Sequence, residues 1–275
     1  MIKAEYIDHM GDDLRVVNAA RVSFDKQSEW EEVCRCGSTE PSEGSWPCTH
    51  GGCSFERLLK PADEKLIHYL ARGCSSREWD ELISQALLAG DGDGEIVPIL
   101  QEVRRMPTHW TPFAHCQITL RETVPIFVAR QRFKHQVGFV YNEVSRRYVD
   151  SEPEFYIPKG WRGRNPDAKQ GSSDEIVMTE DIAGFEDYCQ FAKDYYRDLL
   201  DSGVCPEQAR MVLPQSMMTS YYVTGSLYAF ANAYNQRSSA HAQAEIRELA
   251  DHWKRIIEPL YPVSWRALTS KEEYE

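Results

Sequence analysis

The sequence predicts an α+β protein, a single mixed domain with a small sheet and long helices, decorated by inserts. Alternating apolar patterns at residues 4–8 and 116–121 have the period of strands with one buried face. Longer segments at 63–71, 78–88, 182–200 and 239–259 carry apolar residues at helical spacing. No internal repeat is present.

In chain order, residues 1–24 read as a strand and then a helix, with Gly11-Asp12-Asp13 as the polar turn and Val16, Val17, Ala20 and Val22 behind it. Residues 29–60 form a Cys-bearing insert rich in Gly, Ser and Pro. Leu66, Ile67 and Leu70 mark one helix, and Trp79, Leu82, Ile83 and Ala86 mark the next. The second belongs to a helical insert at about 74–106. It is followed by the break Gly90-Asp91-Gly92-Asp93-Gly94 and a further helix at 96–105. After the strand at 116–121, Pro125 suits the first turn of a helix, where its missing N–H costs nothing. Ile126, Ala129 and Phe133 recur behind it. Residues 154–157 read as extended and 159–173 as a long loop. The helix at 182–200 packs Phe185, Tyr188, Cys189, Ala192 and Tyr196. A long helix is expected from Pro214 to about Tyr234. The last starts near Ser239, a residue type that caps helices, and runs to Pro259. Arg237 lies at the break between these two.

At 275 residues the chain is long enough to bury a substantial core. It has no apolar run near the roughly 20 residues that span a bilayer, and its N-terminus lacks the apolar segment of a secretory signal. A cytoplasmic protein without membrane contact is expected. A net charge of −12 argues against a nonspecific nucleic-acid binder, but leaves room for a nucleotide in one local pocket. Eight Cys without a secretory signal read as thiols or ligands rather than disulfides. Cys34, Cys36, Cys48 and Cys53 cluster in the insert. Four thiolates suit tetrahedral zinc, but Cys34-x-Cys36 is tighter than usual ligand spacing, so a reduced insert without metal is favoured. Cys74, Cys116, Cys189 and Cys205 read as small buried hydrophobes.

The chemistry concentrates in Arg130-Gln131-Arg132-Phe133-Lys134-His135-Gln136 and, after a short gap, Tyr141-Asn142-Glu143-Val144-Ser145-Arg146-Arg147-Tyr148. Arg and Lys carry donors only and suit phosphate and carbonyl oxygens. The apolar flanks Ile126-Phe127-Val128 and Phe139-Val140-Tyr141 argue against a merely solvated basic face. The stretch resembles the signature of the flavin-dependent thymidylate synthases, which reads Gln-aromatic-Phe, Arg-His-Arg, then Asn-Glu-x-Ser-x-Arg-Tyr. Here the triplet is Lys134-His135-Gln136, and eight residues rather than seven separate it from Ser145. Three further segments match in order: Ala19-Ala20-Arg21-Val22-Ser23; His109-Trp110-Thr111-Pro112-Phe113-Ala114-His115; and Ala209-Arg210-Met211-Val212-Leu213-Pro214 with Asn232 and Arg237-Ser238-Ser239-Ala240-His241-Ala242-Gln243-Ala244-Glu245-Ile246.

The resemblance implies reductive methylation of dUMP to dTMP, with methylenetetrahydrofolate as carbon donor and FAD, reduced by NADPH, as hydride carrier. It implies a homotetramer whose FAD sites are shared between subunits. For FAD it points to His109, Thr111, Lys134, His135, Gln136, Glu143, Ser226 and Asn232. For dUMP it points to Gln131, Arg132, Phe133, Lys134, Glu143, Ser145, Arg146, Arg147, Arg210 and Arg237. Ser145, Arg147 and Arg210 suit a phosphate cradle. Arg237 is the family's activating cation beside the uracil ring. The lack of a Gly-x-Gly-x-x-Gly fingerprint after a predicted strand argues against a Rossmann dinucleotide site.

Two other readings stand beside this one. Pro47-Cys48-Thr49-His50 mimics the nucleophile context of the flavin-free thymidylate synthases, but lies in the Gly- and Ser-rich insert. A zinc-containing nucleic-acid-binding module would use the cysteines of 34–53 as a knuckle and the arginines of 130–147 as a phosphate tract.

Overall fold

The computed structural model describes residues 1–34, 54–73, 76–88, 108–149, 151–164, 172–177 and 184–269. The chain divides into two compact units. One comprises Met1–His9 and Gln117–Pro259, the other Met10–Cys116 and Leu260–Glu275.

The first unit is built on a four-stranded sheet. Its strands are β1 (Lys3–Met10, of which all but the last residue belong here), β4 (Gln117–Pro125), β5 (Phe139–Glu143) and β8 (Met218–Ser226), in the order β1-β4-β8-β5. β8 pairs antiparallel with β4 over its full length and with β5 from Phe139↔Gly225 to Glu143↔Tyr221. Along β4, positions 118, 120, 122 and 124 are buried, as period-2 alternation requires. Three of these are Ile118, Leu120 and Val124, and the fourth is Glu122. Around the sheet lie α5 (Ile126–Arg132), α6 (Phe185–Asp201), the short α7 (Pro206–Ala209), α8 (Leu227–Arg237) and α9 (Ala244–Ile257). α9 buries Ile246, Leu249, Ala250, Trp253 and Ile257 on one face. Each such side chain removed from water contributes about 1.5–3 kcal/mol.

The second unit gathers α1 (Asp13–Arg21), a hairpin of β2 (Glu31–Cys34) and β3 (Phe55–Leu58), α2 (Pro61–Arg72), α3 (Ser76–Leu88), α4 (Thr111–Ala114) and α10 (Pro262–Thr269). Asp12 caps α1 by accepting the Arg15 amide at 2.9 Å. The buried Asp13 carboxylate accepts the amides of Val263 and Ser264 at 2.8 and 2.9 Å, which satisfies the first turn of α10. Burial raises the Asp13 pKa against the pull of these bonds. Arg21 donates from Nε and Nη2 to the fully buried Asp63, which also accepts the Ser28 hydroxyl.

Several expectations are corrected. The long helix from Pro214 to Tyr234 is two elements: β8, then α8. Thr219, Tyr221 and Val223 alternate inward, and β-branched and aromatic residues suit a pleated surface. The loop expected at 159–173 contains β6 (Trp161–Arg164), which pairs with β7 (Ser172–Val177) through a register shift between Arg162 and Arg164. The insert at 29–60 is a paired hairpin at both its ends. The last long helix starts at Ala244, not near Ser239, and Ser239 Oγ accepts only the His241 amide, at 3.4 Å. Arg237 is the last residue of α8 rather than a linker residue. Cys116 and Cys189 are buried as expected, whereas Cys205 is exposed. Cys36, Cys48, Cys53, Cys74, Pro47, His50 and the helix expected at 96–105 lie outside the described residues.

Candidate active site

The first unit contains a cleft of about 1190 Å3. β4 and β8 supply its floor through Arg121, Thr123, Thr219 and Ser220, and α5 supplies Arg130 and Phe133. The end of β5 brings Glu143, the segment after it Ser145, Arg146 and Arg147, and the turn after α7 brings Arg210. Six of the residues expected around a nucleotide therefore converge here: Phe133, Glu143, Ser145, Arg146, Arg147 and Arg210.

Their partners define what each can offer. Ser145 Oγ accepts from the Arg147 amide at 3.3 Å and from Arg147 Nε at 3.2 Å. Among the described residues no base stands against that hydroxyl, which holds an arginine instead. Arg147 also stacks on Tyr148, 5.0 Å from the ring centre. Arg210 donates Nε to the Glu207 carbonyl at 3.2 Å. Among the described residues neither Arg147 nor Arg210 is paired with a carboxylate, so both guanidinium ends remain for an anion. Arg146 spends its guanidinium on the backbone carbonyls of Ser151 and Glu152 and shapes the wall. Glu143 accepts the Thr219 hydroxyl at 2.6 Å.

A second cluster lies where α5, α8 and α9 end or begin. Arg237 donates Nε to His135 Nε2 at 2.8 Å and Nη2 to the Gln131 carbonyl at 3.3 Å. Its Nη1 has no partner among the described residues. Burial, then Arg237 and Arg132, push the His135 pKa down to about 4, so at neutral pH the ring is an acceptor for Arg237. Burial and the nearby Arg132 also lower the Arg237 pKa from its ordinary value. The Gln131 side chain donates to Gln243 Oε1 at 2.5 Å.

Arg132 does not face a ligand. Its side chain is 0% exposed and pairs with the equally buried Glu122 at 3.1 Å. Its guanidinium lies over Phe139 and Trp253, 4.3 and 4.7 Å from their ring centres. Glu122 also accepts the Tyr221 hydroxyl at 2.6 Å and the Trp253 indole N–H at 2.8 Å. A charge this deep is tolerated because it is paired and bonded, and it belongs to the core. Ser226 is likewise structural: it is buried, and its hydroxyl caps α8 by accepting the Ala229 amide at 3.1 Å. Lys134, Gln136 and Asn232 are exposed. In the second unit Thr111 is exposed and His109 stacks on Tyr69, ring centres 5.5 Å apart.

Glu122, Tyr141 and Gln243 were not singled out from the sequence. Glu122 carried a signal: it occupies an inward position of the β4 alternation, where a charge must have a partner.

A unit that gathers unpaired arginines at one cleft and holds another arginine between a neutral imidazole and a carbonyl is of the kind that binds phosphorylated, electron-rich ligands. Residues 57–263 match the family described as thymidylate synthase complementing protein. The chain belongs to this family, that of the flavin-dependent thymidylate synthases. The flavin-dependent thymidylate synthase of Thermosipho africanus is 36% identical over 162 residues, 58% of this chain and 71% of the relative. That of Thermotoga neapolitana is 29% identical over 263 residues, 96% of this chain and 88% of the relative. Among solved structures, the UMP/dUMP methylase PolB of Streptomyces cacaoi, bound with 5-Br dUMP, superposes with a TM-score of 0.65 at 25% identity, covering 97% of this chain and 94% of that one. Nothing in these matches supports a zinc-containing nucleic-acid module. Among the described residues no helix is long and apolar enough to cross a membrane, and no group of His, Cys, Asp and Glu could hold a metal ion.

Proposed function

We propose that the protein is a flavin-dependent thymidylate synthase that methylates dUMP reductively to dTMP, with methylenetetrahydrofolate as carbon donor and NADPH as reductant. The observation that carries the reading is the family match across residues 57–263, which spans both the cleft and the Arg237 cluster. The nucleotide phosphate is assigned to Ser145, Arg147 and Arg210, whose guanidinium ends are unspent. Arg237 is assigned to the pyrimidine. Its side-on edge is held by His135 and Gln131, which leaves Nη1 and the second hydrogen of Nη2 for carbonyl oxygen and ring nitrogen. A fixed cation there stabilises negative charge on the ring and makes C5 a better nucleophile.

The residues present fit FAD in part. Lys134 is an exposed cation beside the neutral His135, and donors of this type suit a pyrophosphate. In the same unit Gln136 and Asn232 have side chains open enough to take part, whereas the Ser226 hydroxyl is already used as a cap. FAD, when bound, supplies the hydride. The family's shared FAD site supports a homotetramer as the working form. The reading is tested by incubating purified protein with dUMP, methylenetetrahydrofolate and NADPH and measuring dTMP, with flavin absorbance followed in the same samples. A colourless protein that forms no dTMP with added FAD would refute it.

A further inference from the structure

We infer that Tyr141 is a positioning residue for this reaction, holding Arg237 in its working orientation through His135. The inference rests on the function proposed above. Tyr141 lies in the middle of β5, and its hydroxyl donates to the His135 carbonyl at 2.6 Å while accepting Arg132 Nη1 at 2.6 Å. The His135 ring in turn accepts Arg237 Nε. One continuous chain of bonds therefore runs from Glu122 through Arg132, Tyr141 and His135 to the guanidinium assigned to the pyrimidine.

Each link has a physical reason. Glu122 takes donors from three elements: Arg132 at the end of α5, Tyr221 in β8 and Trp253 in α9. That fixes the Arg132 guanidinium, and the Phe139 ring lies over it. Phe139 sits against Gly225 so closely that a Cβ there would meet its Cδ1 at 2.3 Å. With the guanidinium fixed, the Tyr141 hydroxyl directs its proton to the His135 carbonyl at 2.6 Å, the Arg132 carbonyl being a longer second acceptor at 3.4 Å. His135 stands in the turn between α5 and β5, where its own amide is bonded to the Arg132 carbonyl at 3.1 Å. Its amide and carbonyl bonds hold the His135 backbone in place, and from there the ring accepts Arg237 Nε. On the other side, the Gln131 backbone carbonyl is the second support of Arg237, and the Gln131 side chain is tied to Gln243.

A hydroxyl that merely satisfied the core would affect stability alone. Thr119 supplies the comparison, because its hydroxyl bonds that of Thr224 at 2.9 Å and lies outside the chain that runs from Glu122 to Arg237. The experiment uses the FAD-bound holoenzyme and measures kcat, KM for dUMP, flavin absorbance and melting temperature. Tyr141→Phe is expected to lower kcat about 10-fold with KM and flavin absorbance unchanged, the size of effect a lost orienting hydrogen bond gives. Thr119→Val is expected to lower the melting temperature and leave kcat unchanged. In an Arg237→Ala background, Tyr141→Phe should change turnover no further, since both act through one group. As a measurement that needs no Tyr141 variant, the Arg237 Nε–H resonance, assigned by its loss in Arg237→Ala, should be protected from exchange with solvent. A Tyr141→Phe kcat equal to wild type or to Thr119→Val, a fully additive loss in the double variant, or an unprotected Arg237 Nε–H would each overturn the inference. Absence of dTMP formation by the wild type would instead sink the functional reading.

Discussion

Arg237 and His135 are held in one contact but respond differently to change. Arg237→Ala removes the fixed cation while leaving the exposed donors assigned to FAD intact. A preorganised charged donor in a dry site is worth about 10²–10³ in kcat, so dTMP formation should fall by that factor with flavin still bound. Arg237→Lys should recover only part, because an ammonium cannot bond His135 and Gln131 side-on and still present a second edge. Turnover of Arg237→Ala near the wild-type rate would return it to a surface role. His135 makes stability depend on pH. Its folded pKa, about 4, lies below the unfolded value of about 6.5, so between the two the unfolded chain binds more protons. Its contribution is therefore complete above about 6.5 and is lost as pH falls towards 4. His68, also lowered to about 4 by burial and then Arg72 and Arg266, acts in the same direction in the other unit. Thermal melts of His135→Gln across this window should show a shallower slope than wild type, with the His68 part remaining. Parallel slopes would mean that His135 titrates normally.

At the scale of elements, the Glu122–Arg132 pair ties β4 to α5 and, through Tyr221 and Trp253, to β8 and α9. Arg132→Met would leave Glu122 charged and short of its main partner in a dry core. Orphaning one member of a buried pair costs about 3–5 kcal/mol, readable as a lower midpoint in urea unfolding. A loss below about 1 kcal/mol would show that water reaches Glu122. This pair also marks the limit of what the sequence discloses. The motif around Arg132 reads as ligand-binding throughout, yet on a helix its positions face different ways: Arg130 and, three residues on, Phe133 reach the cleft, while Arg132 turns inward. β8 was misread because Tyr221, Tyr222, Leu227 and Phe230 satisfy a helical spacing as well. The strand signal of Thr219, Tyr221 and Val223 was present but overlapped it. The hairpin of β6 and β7 was hidden by Gly and Pro, which usually punctuate loops. By contrast β4, α5, α6 and α9 carry clean periodicities. Among the expected nucleotide residues, Phe133, Glu143, Ser145, Arg146, Arg147 and Arg210 do meet at one cleft.

At the scale of the molecule, the expected working form is a homotetramer with FAD at subunit contacts. Static light scattering of the yellow protein should give four times the 31.7 kDa chain mass. A monomer that retains FAD tightly would contradict a shared site. Since dUMP is anionic and its assigned ligands are arginines, KM should rise with added salt while kcat holds.

The carboxylate of Asp13 receives its two amide donors from Val263 and Ser264, and the partner of β1 in the sheet is β4, which begins at Gln117. During synthesis on the ribosome these meetings come late. β1 emerges first and has no neighbour until Gln117 and the residues after it have cleared the exit tunnel. The α1 carboxylate waits longer still, until Val263 and Ser264 have been added. The first unit cannot close before the residues up to Pro259 are made, nor the second before Val263 and Ser264, and such distant pairings slow folding. Ending translation before Val263 would leave a buried acid bare inside a half-built unit, a species for chaperones and proteases rather than a shortened enzyme.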